Sequence, residues 1–504
     1  MEVSTTKGPV RGVRSNGVTA FLNIPYAAAP TGAGRFAPPV EHEPWQDVRD
    51  ATAFGPTAPQ AARVLGSMDM RPYFGEGWHR GEDYLTVNVW TPDPAATGLP
   101  VLVFVHGGGF VAGSGRSELY DGSAFARSGV VLVTVNYRLG IAGFLDLPDA
   151  PANRGLLDVV AALRWVSENI AAFGGDPGNV TLAGQSAGAT VVGGVLATPR
   201  AGGLFRRAIV QSGSGLGAFS PEQAARVTRA ATELLGVEAT AAAFAGLSDE
   251  VLVDTAGRLA GIGLRTETHT DPLVGLSPFS LVLGTQPADA VAAGRGLDVD
   301  LLIGANAEEG HLYLVPFGKY AGSTAADVDE VAAQAHPDPA RLVKTYREAR
   351  PAAADAEIRS AVLGDALFGA GTWALTEAHA ERSTGQAFAY EFAWRSPALD
   401  GELGATHTVE LPFVFGRTEL PSLRGPNRLL GTGEPPSSLA ALVHDSWVRF
   451  ARTGDPGWTR YTADRRTTMR FDVDSGPTED PRGQERRAWR SPEVPHLAGR
   501  QGPE

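Results

Sequence analysis

The residues with the clearest capacity for chemistry are Gly184-Gln185-Ser186-Ala187-Gly188, a Gly-x-Ser-x-Gly segment. The apolar residues 180–183 before it predict a strand, and the Gly/Ala-rich residues after it predict a helix. An abrupt strand-to-helix turn lifts the middle serine to the edge of a sheet, where the helix N-terminus favours negative charge. A Gly/Ser-rich turn can match this motif by chance, but its context favours Ser186 as a nucleophile.

A second segment, His106-Gly107-Gly108-Gly109-Phe110, directly follows the apolar run 101–105. Three consecutive glycines cost conformational entropy on folding, so such a loop needs a reason. One interpretation is a tight turn with no ligand. The other is that its backbone N–H groups, together with that of Ala187, bind one oxygen as an oxyanion hole. The presence of the serine motif favours the second interpretation.

A serine nucleophile needs a base, and the base needs an acid that orients it. In chains with this kind of serine turn, the acid and then the histidine follow the serine. His407 is favoured because it lies in a loop after the predicted strand 386–394, whereas His379 lies in a predicted helix and should project away from the site. The acid should follow the predicted strand 301–303, which leaves Glu308 and Glu309 both open.

These residues require a sheet whose strands end at one edge. The run 101–105 is apolar throughout and 130–135 is apolar except for Thr134, as in strands covered on both faces by helices. Residues 156–173 have helical spacing, 208–210 and 301–303 predict further strands, and 386–394 predicts the final one. Strands that alternate with helices in this way predict an α/β fold with a central, mostly parallel sheet flanked by helices.

The remaining segments complete this expected architecture. Short strands are predicted at 17–26 and 85–90, with an irregular Pro/Gly-rich stretch at 27–81 between them. Residues 324–381 predict helical insertions after the nucleophile strand, interrupted at Pro337 and Pro351. No repeat or linker marks a boundary, so we expect residues 1–504 to form a single domain.

Composition excludes several classes of function. The 504 residues include 43 Lys and Arg against 56 Asp and Glu, a net charge of −13, which argues against a nucleic-acid partner. No apolar run approaches the roughly 18 to 20 residues that cross a bilayer, so no membrane partner is expected. Cysteine is absent, which excludes thiol catalysis and disulfides. Because phosphate-loop, dinucleotide and His-Glu-x-x-His motifs are also missing, we expect no cofactor and no metal.

The N-terminal residues show no signal-peptide pattern. Together with the absence of cysteine, this predicts a cytoplasmic location, although secretion after removal of a signal stays open. The oligomeric state is also left open.

The sequence resembles the type-B carboxylesterase/cholinesterase-like family of α/β-hydrolases. The segment 154–188, which includes the serine motif, is very specific to that family. Shorter matching segments extend through most of the chain: Asn23-Ile-Pro-Tyr26, Arg35-Phe36-Ala-Pro-Pro39, Glu82-Asp83, Asn88-Val-Trp90, residues 106–110, Asn136-Tyr-Arg-Leu-Gly140, Gly143-Phe-Leu145, Gln211-Ser-Gly-Ser214, Glu309-Gly310, 407–416 and Thr453-Gly-Asp-Pro456.

The resemblance implies a role for individual residues. The acid of this family immediately precedes a glycine, which selects Glu309, and its histidine precedes a Glu-Leu-Pro-Phe segment, which selects His407. The family pattern also implies that Ser186 is the nucleophile and that three backbone N–H groups form the oxyanion hole. Ser214 occupies the position of a buried serine near the triad. The three expected oxyanion donors are Gly108, Gly109 and Ala187.

The implied function is that of a serine carboxylesterase, which hydrolyses a small-molecule ester through an acyl-enzyme on Ser186. An amidase or carbamate hydrolase with the same machinery is an alternative, and a non-catalytic binding module of the cholinesterase type is a more distant one. The sequence departs from many relatives in having Gln185 beside the nucleophile, where they have Glu, and Tyr84 where secreted members have a disulfide cysteine.

Choline-ester members of the family hold their substrate's ammonium group on a tryptophan ring. The corresponding stretch of this chain, 66–81, offers Phe74 and Trp78, neither of which can be aligned with that tryptophan. Because cation–π attraction requires the cation within about 6 Å of the ring, a misplaced ring gains nothing. We therefore expect an apolar pocket that prefers neutral esters.

Overall fold

A computed structural model describes residues 1–296, 298–382 and 384–490. The expected single domain runs to residue 504, and residues 491–504 lie outside the described part. In those three ranges, no helix is both long enough and apolar enough to cross a membrane.

Strands of the described chain form one sheet of eleven strands and one of three. In chain order they are β1 Glu2–Ser4, β2 Pro9–Arg11, β3 Val13–Ser15, β4 Val18–Pro25, β5 Arg49–Asp50, β6 Thr86–Thr91, β7 Leu99–Val105, β8 Val131–Val135, β9 Gly175–Gln185, β10 Arg207–Gln211, β11 Asp300–Asn306, β12 Ala387–Phe392, β13 Thr467–Phe471 and β14 Gly476–Glu479.

The large sheet has the order β14-β13-β12-β11-β10-β9-β7-β8-β6-β4-β3, and β1, β2 and β5 form the small one. All pairs from β13 to β8 are parallel, and the strands at the two ends of the sheet pair antiparallel. The predicted mostly parallel sheet is therefore confirmed. The strand predicted as the last, 386–394, is not the last. Strands β13 and β14 follow it, and their mixed Thr and Arg residues lack the continuous apolar run that marks a buried strand.

Helices cover both faces of the sheet. The α-helices are Arg71–Phe74, Ser123–Arg127, Gly140–Phe144, Arg154–Asn169, Ala187–Ala197, Pro221–Leu235, Ala241–Ala245, Asp249–Arg258, Pro287–Ala292, His311–Leu314, Ala325–Ala335, Pro339–Ala349, Asp355–Gly364, Ala370–Arg382, Leu411–Val414, Ser437–Thr453 and Gly483–Ala488. A π-helical turn occupies Asp365–Gly369, and short 3-10 turns occupy Gly32–Phe36, Glu118–Tyr120, Ile170–Phe173, Pro199–Ala201, Val315–Phe317, Leu399–Gly401 and Pro421–Leu423.

The apolar residues of the central strands point alternately to two cores. In β7, Val103 packs into a core that includes Leu163 of the helix Arg154–Asn169. Its neighbour Leu102 packs into the opposite core, which includes Trp447 of the helix Ser437–Thr453. Because successive side chains of a strand face opposite sides, a strand covered on both faces must be apolar throughout.

The parallel strands bring the predicted site residues to one edge. Strands β7, β9 and β11 lie in the same parallel part of the sheet, so their C-terminal ends meet at that edge. The residues that follow them are His106, which begins the glycine-rich loop, Ser186, and Ala307, which directly precedes Glu308 and Glu309. Ligand sites of open α/β sheets form at this position, outside the carboxyl ends of the strands.

Candidate active site

Ser186 occupies the tight turn between β9 and the helix Ala187–Ala197. Its backbone has φ 57° and ψ −126°, a conformation that L-residues rarely adopt. The turn also brings chain segments too close for side chains, because a Cβ atom on Gly188 would lie 2.2 Å from the carbonyl oxygen of Val105. Gly188, two residues after the serine, is therefore required by packing, and Ser186 itself adopts the strained conformation.

His407 lies between Ser186 and Glu309. Its Nε2 atom is 2.9 Å from the Ser186 hydroxyl oxygen, and its Nδ1 atom is 2.6 Å from Oε2 of Glu309. An ionised carboxylate only accepts hydrogen bonds, so Nδ1 carries the proton and Nε2 is free to accept from the serine. All three residues are buried. The arrangement has the geometry of a nucleophile, a base and an orienting acid.

Glu308, the other acid that spacing left open, faces away from His407. One of its carboxylate oxygens pairs with Arg395, and the other accepts a hydrogen bond from the N–H group of Ala405 at 2.7 Å. His379, which lies in a helix as expected, donates a hydrogen bond from Nε2 to the carbonyl of Val299, 2.7 Å away, just before β11 begins. Neither residue joins the Ser186 arrangement.

Ser212 is the serine in contact with Glu309. Ser214, for which the family pattern implied a buried position near the triad, is buried but makes no hydrogen bond to Glu309 within the described residues. The Ser212 hydroxyl donates to Oε1 of Glu309 at 2.5 Å, whereas the Ser214 oxygen accepts from the N–H group of Leu216 at 3.2 Å. Ser212 is the first residue after β10, which lies between the strands that end at the nucleophile and at the acid. Ser212 therefore lies at the same edge of the sheet as Glu309, which allows its hydroxyl to reach that carboxylate.

Gly108 and Gly109 form a fixed loop after β7. Both have positive φ values, 118° and 64°, which glycine adopts without strain. The Gly108 carbonyl accepts from the N–H groups of Val111 at 3.2 Å and Ala112 at 3.1 Å and from Nη1 of Arg63 at 3.0 Å. The Gly109 carbonyl is held in a similar way by a serine hydroxyl at 2.7 Å. The loop carbonyls are thereby all engaged on the protein side.

The three expected oxyanion donors have no protein acceptor. Across the described ranges, the N–H groups of Gly108, Gly109 and Ala187 make no hydrogen bond. The Ala187 group belongs to the first turn of a helix, where backbone N–H groups have no intrahelical partner. Unpaired donors next to a nucleophile are what an oxyanion hole requires.

Two buried polar residues border this arrangement. Gln185, the departure noted in the sequence, accepts a hydrogen bond from the Tyr73 hydroxyl at 2.6 Å, and its amide nitrogen lies 3.4 Å from Nε2 of His407. Glu410 is fully buried and accepts from the amide of Asn306 at 2.7 Å. Burial and the negative charge of Glu309 raise the pKa of Glu410 to about 7.

A cavity of about 60 Å³ opens at Ser186. The ring of Phe368 stacks on the His407 imidazole with centroids 4.2 Å apart and planes 9° apart, and Phe368 lies in the π-helical turn Asp365–Gly369. The only permanently charged side chain of the lining is Arg63. The apolar lining consists of Leu65, Phe74, Phe110, Leu273, Leu276, Leu312, Leu367 and Phe368.

A family model described as the carboxylesterase family matches residues 1–489. The chain belongs to the carboxylesterase family. It is similar to para-nitrobenzyl esterase of Bacillus subtilis (strain 168), with 35% identity over 499 residues, 96% of this chain and 97% of that relative. It is also similar to phenmedipham hydrolase of Pseudarthrobacter oxydans, with 33% identity over 486 residues, 91% of this chain and 92% of the relative.

Among solved structures, the chain is similar to carboxylesterase EST55 of Geobacillus stearothermophilus, with 35% identity, a TM-score of 0.84 and coverage of 97% of this chain and 100% of that one. The α/β-hydrolase fold implied by the resemblance is thus confirmed. The protein is a carboxylic-ester hydrolase, so the binding-module alternative falls away. The findings favour the serine carboxylesterase over the amidase or carbamate-hydrolase alternative.

Sequence reasoning missed several residues around the esterase site. Ser212 could have been found, because it follows a predicted strand in the same way as Ser186. Glu410 lies three residues after His407 and entered the sequence analysis only as the first residue of the Glu-Leu-Pro-Phe segment, with no role of its own. Phe368 and Arg63 come from segments far away in sequence, a predicted helix and an irregular stretch, and nothing in their spacing pointed to the site.

Proposed function

We propose that this carboxylesterase works through Ser186, His407 and Glu309. His407 Nε2 takes the hydroxyl proton while Ser186 Oγ attacks the ester carbonyl carbon, and the carbonyl oxygen becomes an oxyanion. Glu309 keeps the imidazole in the orientation that this transfer needs and stabilises the imidazolium that forms. The continuous pair of hydrogen bonds, 2.9 Å and 2.6 Å long, is the observation that supports these roles.

The oxyanion is bound by the N–H groups of Gly108, Gly109 and Ala187. Collapse of the tetrahedral intermediate breaks the ester C–O bond, and the alcohol leaves with the proton held by His407. Water then attacks the acyl-enzyme carbonyl and gives its proton to the same nitrogen. The second collapse breaks the bond to Ser186 Oγ, returns the proton to it and releases the carboxylic acid.

The apolar cavity supports hydrolysis of neutral short-to-medium acyl aryl or alkyl esters in preference to choline esters of the same acyl group. One relative is named for a para-nitrobenzyl ester and another for phenmedipham, so both compounds belong in a substrate panel. Hydrolysis of 4-nitrophenyl esters of increasing chain length, beside the matching anilide, measures the acyl range and the preference for esters over amides.

A serine-directed organophosphate tests the assignment of the nucleophile. We expect one phosphoryl group per chain, with peptide mapping that places it on Ser186, and complete loss of labelling in Ser186→Ala. Ser214→Ala is the matched control, because this hydroxyl is also buried but has no contact with His407, and it should be labelled like the wild type. A label on another residue, or wild-type turnover by Ser186→Ala, would overturn the proposal.

We further propose that the enzyme works in the cytoplasm, a reducing compartment that suits a chain without cysteine. Fractionation of the source cells with an antibody against the protein tests this location. Recovery of the protein mainly from the culture medium would contradict it.

A further inference from the structure

Arg63 is a cation inside the ester-binding region that the mechanism does not use. Its guanidinium makes one hydrogen bond in the described chain, from Nη1 to the Gly108 carbonyl at 3.0 Å. The same group lies over the ring of Phe74, 5.5 Å from its centroid. A Cβ atom placed on Gly109 would lie 3.0 Å from Nη1, so the charge sits directly against the oxyanion loop.

No carboxylate neutralises this charge. Within the described residues, no Asp or Glu oxygen lies within 4.0 Å of the half-buried Arg63, whereas the buried Arg138, Arg207 and Arg486 are each paired with an acid. Burial lowers the pKa of Arg63 from the ordinary arginine value. The nearby Tyr313 and Tyr73 side chains act in the opposite direction and raise it. Guanidinium nevertheless stays protonated in proteins, so a half-buried positive charge without a carboxylate partner remains.

The free N–H groups of Arg63 face space that a substrate can fill. Arg63 lines the cavity at Ser186 and also a neighbouring, mostly apolar cavity of about 210 Å³, so it lies where the two meet. The second cavity contains one acid, Asp249, whose oxygen lies 3.3 Å from a guanidinium nitrogen of Arg35 and is therefore already engaged. Of the five N–H groups of the Arg63 guanidinium, only the one bonded to the Gly108 carbonyl has an acceptor among the described residues.

We propose that Arg63 binds a carboxylate carried by the substrate, so that the enzyme's preferred substrates are anionic esters, such as monoesters of dicarboxylic acids. The planar guanidinium offers two parallel N–H groups to a carboxylate, and the surrounding apolar walls strengthen that pairing. The substrate thereby supplies the counter-ion that the chain lacks. This inference rests on the proposed role of Ser186, because it names the class of ester that reaches that serine.

Matched ester pairs test the inference. On the acyl side, 4-nitrophenyl hexanoate is compared with the 4-nitrophenyl monoester of adipic acid, in which a carboxylate replaces the terminal methyl group. On the alcohol side, 4-ethylphenyl butyrate is compared with the butyrate ester of 4-hydroxyphenylacetate. For each pair the readout is the ratio of kcat/KM for the anionic ester to kcat/KM for the neutral one. A common loss, such as one caused by the broken Gly108 contact, cancels in this ratio.

In Arg63→Met we expect the ratio to fall at least about tenfold for one of the two pairs, mainly through KM, since the substrate carboxylate loses its charged hydrogen-bond partner. Arg63→Lys should keep part of the preference, and Arg63→Gln, which retains a donor without the charge, should lose it. Arg80→Met is the control, because it removes the same charge from an exposed side chain 4.2 Å above the Trp78 ring and should leave the ratio unchanged.

Equal ratios in wild type and Arg63→Met for both pairs would overturn the inference and leave Arg63 with only its structural contact to Gly108. A second variant guards against misfolding, since Arg63→Gln retains a side chain that can reach the same carbonyl. A different result would refute the proposed function. It is refuted if the wild type does not hydrolyse 4-nitrophenyl hexanoate or if Ser186→Ala hydrolyses it equally well.

Discussion

The hydroxyl group of Ser212 donates a hydrogen bond to Oε1 of Glu309 at 2.5 Å, while His407 occupies the other oxygen of the same carboxylate. Oε1 also accepts from the N–H group of Asn306 at 2.7 Å. Both carboxylate oxygens are therefore engaged, which fixes the plane in which the imidazole is held. Outer contacts of this kind orient the groups that perform the chemistry.

We expect Ser212→Ala to lower kcat about tenfold with little change in KM, because a hydrogen bond to a charged group contributes about 1.5–3 kcal/mol and the Asn306 contact remains. Ser214→Ala should stay near wild type, since that hydroxyl contacts Leu216 instead of the acid. Steady-state kinetics with a neutral 4-nitrophenyl ester measures both variants. A larger loss in Ser214→Ala would transfer the supporting role to Ser214.

The two adjacent acids should respond very differently to the same change. Glu309→Gln should lower kcat by about 10⁴-fold, because the amide no longer favours the tautomer with a proton on Nδ1. Glu308→Gln should cost less than about tenfold, since its ion pair with Arg395 is partly exposed and such pairs contribute little. Turnover of the two variants at one pH decides between them, and the opposite order would identify Glu308 as the acid.

Glu410 predicts a pH dependence of folding stability. Its ordinary pKa of 4.5 is raised to about 7 in the folded protein, first by burial and then by the charge of Glu309. Between these two values the folded state holds a proton that the unfolded chain has released. The free energy of unfolding therefore falls as pH rises through this window and levels off above it.

We expect Glu410→Gln to remove that slope, so that its stability relative to wild type increases by about 3 kcal/mol between pH 4.5 and pH 7. Urea unfolding at several pH values measures the difference. The exposed Glu168 provides the control, and Glu168→Gln should track the wild type throughout. A constant offset between Glu410→Gln and wild type across this range would show that the buried carboxyl does not titrate there.

The sequence was sufficient to predict the central sheet of this enzyme and the turn that holds Ser186. Strands such as β7 and β8 are covered on both faces, so their residues are apolar except for Thr134 of β8, and that constraint is visible without a structure. The turn at Ser186 was equally visible, because close approach to Val105 excludes any side chain at Gly188. Backbone requirements of this kind restrict residue type directly and can therefore be recognised.

Contacts between distant segments could not be recognised in this way. Phe368 stacks on His407 from a helical insertion, and Arg63 reaches Gly108 from an irregular stretch. Neither contact restricts the neighbouring residues, so no local pattern records it. The acid was an intermediate case, because spacing brought both Glu308 and Glu309 to the correct edge and only the family pattern chose between them.

Each aromatic ring that could have bound a choline group already has an arginine guanidinium over it. Arg80 lies 4.2 Å from the centroid of the Trp78 ring, and Trp78 does not line the cavity at Ser186. Phe74 does line that cavity, but Arg63 lies 5.5 Å from its centroid. A ring face held by one cation is not available to another, and the charge of Arg63 repels a quaternary ammonium group in the same cavity.

We therefore expect a neutral butyrate ester to have a kcat/KM at least about tenfold higher than that of butyrylcholine. A cation–π contact would contribute about this factor to binding of the choline ester, and that contact is absent. The negative net charge does not reverse this order, because a diffuse field raises the encounter rate of cations without creating a site for them. Both esters are assayed side by side at two salt concentrations, which separates the encounter effect from binding in the pocket. In Arg63→Met the discrimination against butyrylcholine should shrink, because the repulsion is removed and the Phe74 ring is exposed. A wild-type preference for butyrylcholine would mean that Phe74 or Trp78 binds the ammonium group after all.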